Sequence, residues 1–90
     1  MDSKKLIQNL CSSFRYDLSV INNTTKVHEN ALRKGYDKKH KPLALAVGSL
    51  YFYCKSTGKP ITLAKLLENV YVEQEEVLAV YNDLKKDALY

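Results

Sequence analysis

Lys38-Lys39-His40-Lys41 is the densest run of basic side chains in the chain, and lysines clustered in this way neutralise phosphates without reading bases. Further along, Lys55, Lys59 and Lys65 flank Thr62. The Thr62 hydroxyl can cap a helix, and its backbone amide can meet a phosphate at that helix N-terminus. Other chemistry is thinner. Cys11 and Cys54 lie far apart without a third cysteine, and His28 and His40 share no ligand spacing with either. Neither a disulfide framework nor a metal site is indicated, and both cysteines are expected as buried reduced thiols. Glu73, Glu75 and Glu76 form the start of a helix rather than an acid–base pair. With no glycine-rich phosphate loop and no nucleophile near a base, no catalytic residue, cofactor or small-molecule substrate is expected.

Ninety residues support one hydrophobic core and not two. Hydrophobic residues make up 46% and Gly and Pro together only five positions, which excludes disordered and collagen-like chains and predicts a single domain over 1–90. A net charge of +4 favours an anionic partner such as nucleic acid. The apolar stretch behind Met1-Asp2-Ser3-Lys4-Lys5 is interrupted by Gln8, Asn9, Ser12 and Ser13, so it is no signal-peptide core. No run reaches the roughly 20 apolar residues of a bilayer span. The expectation is therefore no membrane partner and an intracellular protein.

The elements that must position these residues read as helices. Ser3 can cap a first helix carrying Leu6, Ile7, Leu10, Cys11 and Phe14, and ending near Arg15. Tyr16 to Asn22 shows no clear period, and Asn22, Asn23 or Thr24 offers a cap for a second helix through Val27, Ala31 and Leu32, stopped by Gly35. The stretch from Arg33 to Pro42 is polar and basic, with too little apolar surface for a core, so it is expected on the surface. Leu43 to Cys54 is apolar nearly all round and longer than a strand, which predicts a buried central helix packed by Leu10, Val27, Leu66, Val77 and Tyr81. Ser56-Thr57-Gly58-Lys59-Pro60 is turn chemistry, and Thr62 then caps a short helix holding Leu63, Leu66 and Leu67. After a tight break near Asn69 to Val72, a last helix opens on Glu73, Gln74, Glu75 and Glu76, acids that suit its positive end. It places Val77, Tyr81, Leu84 and Ala88 on one face. The sum is an all-α bundle of about five helices ending in a helix-turn-helix.

Several of these strings resemble one family. Pro42-Leu43-Ala44-Leu45-Ala46-Val47-Gly48-Ser49-Leu50-Tyr51-Phe52-Tyr53-Cys54-Lys55, followed by Gly58-Lys59-Pro60-Ile61-Thr62-Leu63, resembles the third helix and following turn of a cyclin-like repeat of transcription factor IIB. Val72, Val77, Tyr81 and Leu84 are similar to the skeleton of that repeat's last two helices. Leu10-Cys11-Ser12-Ser13-Phe14 resembles the first helix of the second, C-terminal repeat. The chain departs from the pattern at Tyr71, where a small residue is usual, and at Asn69, where an aliphatic one is.

The resemblance implies a cyclin-like fold and a transcription-initiation module that grips promoter DNA beside the TATA-binding protein. Its phosphate-contacting residues would be Lys38, Lys39, His40, Lys41, Lys55, Lys59, Thr62 and Lys65. In the family's second repeat the last helix reads bases, but the matching positions here are Leu78 and Ala79, behind Gln74, Glu75 and Glu76. Leucine and alanine cannot donate to guanine O6 or N7, and the glutamates repel flanking phosphates, so base readout is expected to be weak or absent. The alternative is a cyclin-box module that binds protein and never DNA. Leu78, Tyr71 and Glu75 are its interface candidates, and Tyr36, Tyr53 and Tyr90 supply further amphipathic contact area.

Overall fold

The computed structural model describes residues 3–59, 61–68 and 70–87, the side chains of 3, 4 and 87 excepted. Over these residues the chain forms five α-helices and no strand: α1 (Ser3–Ser13), α2 (Leu18–Arg33), α3 (Pro42–Thr57), α4 (Leu63–Leu67) and α5 (Gln74–Asp87). The expectations at Pro60, Asn69, Ala88 and Tyr90 lie outside the described residues. The all-α architecture is as the periodicity predicts. No helix among the described residues is long and apolar enough to cross a membrane.

Everything packs on α3. Pro42 occupies its first turn, where a missing N–H costs nothing, and the Leu45 N–H donates to Lys41 O at 2.9 Å. Residues 44 to 50 are all buried. Ser49, the polar side chain in that run, gives its hydroxyl to Leu45 O at 2.7 Å and leaves no orphan donor. Gly58 ends the helix at φ 75°, a left-handed turn that costs glycine little, and Lys59 N–H donates back to Cys54 O at 2.9 Å.

The second helix starts earlier than expected. Asp17, not Asn22, Asn23 or Thr24, is the cap: its carboxylate accepts from Val20 N–H at 3.1 Å. Leu18 then faces solvent at 68% exposure, and this outward leucine is what hides the helical period in the sequence. The last break also differs, since α4 ends at Leu67 and α5 begins at Gln74. That gap exceeds the 3–4-residue turn of a helix-turn-helix. Thr62 caps α4 as expected, accepting from Lys65 N–H at 3.3 Å.

The core has two parts. Leu50 shares one with Ile7, Leu10, Cys11, Leu66 and Val77. Val27 joins a second with Ala44, Leu45, Phe52, Val80 and Leu84, against which Tyr81 is half-buried. Val80, absent from the expected core, is fully buried because α5 crosses α3 at Gly48. A Cβ on residue 48 would lie 2.6 Å from Val80 Cβ, so only glycine lets the two helices approach this closely.

Candidate nucleic-acid interface

The basic loop is not the wholly surface segment that its composition predicts. Gly35 turns the chain at φ 79°, and Tyr36–Lys38 form a 3-10 turn. Tyr36 is half-buried against the second part of the core, and its hydroxyl donates to Asp83 O at 3.4 Å. His40 goes inward too. Its side chain is 9% exposed, and Nε2 donates to Asp83 Oδ2 at 2.7 Å. The expected role of His40 as a phosphate contact is therefore corrected: the ring is occupied in fastening the loop to α5.

The lysines of the loop point the other way. Lys39 is 62% and Lys41 78% exposed, while Lys38 is exposed beside them. Lys39 and Lys41 nevertheless touch acids of α5: Lys39 Nζ lies 3.1 Å from Asp83 Oδ2, and Lys41 Nζ lies 3.4 Å from Glu76 Oε1. Burial by itself would raise the Asp83 carboxyl. Hydrogen bonds from His40 and Lys39, together with their charges, outweigh it and hold Asp83 below its ordinary value of 3.8.

The two basic groups foreseen as one footprint are separated. Lys41 precedes α3 and Lys55 sits in its last turn, fourteen residues on, which is about 21 Å of helix. Lys55 stands over the Tyr51 ring at 5.8 Å, and Lys59 and Lys65 follow the far end of α3 and sit on α4. Of the basic residues foreseen as contacts, Lys38, Lys39 and Lys41 stay together, exposed on the segment that leads into α3.

At the start of α5, Gln74, Glu75 and Ala79 are exposed and Leu78 is half-buried. Tyr71 is fully exposed. It stands at the mouth of an apolar groove of about 280 Å³ lined by Leu6, Leu10, Phe14, Leu43 and Leu66. Tyr36 and Tyr53 are half-buried instead, Tyr53 accepting from Asn23 Nδ2 at 3.2 Å.

The interior adds groups that no spacing in the sequence announces. Cys11 and Cys54 meet in one part of the core, both fully buried. Burial first, then the neighbouring Cys54, pushes the Cys11 thiol up to about 11. Cys54 is raised by burial, against a hydrogen bond with Tyr16 and the charge of Lys59. Both stay thiols at neutral pH and are poor nucleophiles. On α2, Thr24 Oγ1 and His28 Nε2 are buried one turn apart without hydrogen-bond partners. Burial pushes His28 below its ordinary value, with Glu29 opposing.

Comparison of the sequence with protein-family models and with curated proteins, and of the fold with solved structures, returns no match.

Proposed function

We propose that this domain is a transcription factor IIB-like module that grips nucleic-acid backbone through the Lys38, Lys39 and Lys41 edge. One observation carries the reading. The lysines project into solvent from a loop that Tyr36 and His40 fasten to α5. A charged edge on a fastened loop loses less conformational freedom on binding than the same lysines on a free one. The order of buried α3, glycine turn and Thr62 cap supports the family resemblance behind this reading.

The contacts are phosphate contacts. Leu78 and Ala79 offer no donor to a base edge, and Glu75 faces solvent where it repels a phosphate. Any promoter selectivity then comes from a protein partner such as the TATA-binding protein, as the resemblance implies. A salt titration with a duplex of arbitrary sequence tests this. Affinity falls steeply with salt, and replacing Lys38, Lys39 and Lys41 together by Ala flattens the log–log slope by up to about 3. An unchanged slope overturns the reading.

The exposed Tyr71 beside its apolar groove favours the second reading, a cyclin-box module for protein. A domain that binds no duplex at low salt, and loses a protein partner on Tyr71→Ala, supports that reading instead.

A further inference from the structure

Glu76 and Asp83 are seven residues apart on α5, two turns along one stripe, with the buried Val80 between them. The stripe therefore borders the face that α5 turns toward α3. The basic loop enters α3 beside it, and each acid meets a lysine of the loop. We propose that these acids are a built-in competitor for the nucleic-acid edge, so that a polyanion must take Lys41 away from Glu76 in order to dock. The inference rests on the backbone-binding reading above and concerns the regulation of that same edge.

The two pairs differ in what happens when a phosphate arrives. Asp83 is shared between His40 and Lys39, so Lys39 can swing to a phosphate while His40 still satisfies the carboxylate. The loop stays fastened. Glu76 meets Lys41 at the far side of the stripe, and its side chain is one-third exposed. When Lys41 leaves, Glu76 remains as an uncompensated negative charge next to the bound polyanion. Affinity is thereby held below what the loop's charge alone would give. Because the pair is exposed, the effect is small enough to be overridden, and salt weakens both the pair and its competitor.

Glu76→Gln removes the competitor without unfastening the loop. Glu75→Gln is the matched control, because it makes the same change in net charge one residue away at an exposed position. With a fluorescent duplex of arbitrary sequence at low salt, Glu76→Gln is expected to bind about two- to fivefold more tightly than Glu75→Gln. Its salt slope steepens by up to about 1. The advantage shrinks in a Lys41→Ala background, where no pair is left to break and only the repulsion between Glu76 and the polyanion remains. Equal affinities for the two glutamine variants, with binding still lost in the triple lysine-to-alanine variant, overturn the competitor and leave the function standing. Unchanged binding in the triple variant overturns both.

Discussion

Helix α5 is held to the rest of the molecule at two places that work by different physics. At Gly48 it lies against α3 with Val80 filling the space a side chain would need, in a buried apolar seam with Ala44, Leu45 and Leu84. At the basic loop it is held by Asp83 taking His40 and Lys39, and by Glu76 taking Lys41. The seam depends on shape and burial, which neither pH nor salt alters much. The latch depends on ionisation and on exposed charges, which respond to both. One helix thus has a permanent attachment and a conditional one, and the conditional one is where the candidate interface sits.

The widest separation between the two regimes is expected from core truncation. Leu50→Ala, at the centre of α3, is predicted to cost about 2–5 kcal/mol in a urea melt, with a loss that does not vary with salt. A melt unchanged by this substitution would break the picture of α3 as the shared core. Gly48→Ala comes next, at about 1–3 kcal/mol, because the new methyl must displace Val80. Adding Val80→Ala should cost less in that background than in the wild type, and simple additivity would show that the helices separate freely at the seam.

Asp83→Asn tests the latch, with an expected loss of about 1–3 kcal/mol as the largely buried His40, and with it the exposed Lys39, loses its carboxylate. Its pH signature separates it from the interior. Asp83 is depressed in the fold, so its contribution is complete above the ordinary carboxylate value of 3.8 and is lost as pH falls through the lower folded value. His28 is also depressed, so the unfolded chain takes its proton first and stability falls as pH drops through 6.5 toward the folded value. Urea midpoints measured at descending pH should show the first decline flattened by His28→Leu and the second by Asp83→Asn. The smallest stability effect is expected from replacing Lys38, Lys39 and Lys41 by Ala, within about 0.5 kcal/mol, although on the proposed function this variant is the one expected to change duplex binding most. A large loss of stability would show that Lys39 and Lys41, rather than His40, carry the latch.

Much of the fold is legible because helices advertise themselves locally. The unbroken apolar run from Leu43, Pro42 in the first turn, Gly58 at the end and Thr62 before Leu63 are each read from neighbours in sequence. The start of α2 is hidden in the sequence because Leu18, directly behind the Asp17 cap, faces outward and breaks the apolar period. The expected site divided for a different reason: lysines close in type and role lie at opposite ends of α3, and a sequence pattern carries no information on which end of a helix another segment reaches.

By itself, then, the sequence determined the helical class, the central place of α3, the turns at Gly35 and Gly58, and the outward lysines of the loop, since propensity, capping and periodicity act within a few residues. Only the tertiary structure decided that Val80 fits against Gly48, that Cys11 meets Cys54, and that His40 belongs to Asp83 rather than to a phosphate. His40 and Asp83 are 43 residues apart in sequence, and their partnership exists only because α5 packs across α3 and brings its acidic stripe to the loop. A charge run in a sequence specifies that charge is available; packing specifies how much of it is already taken.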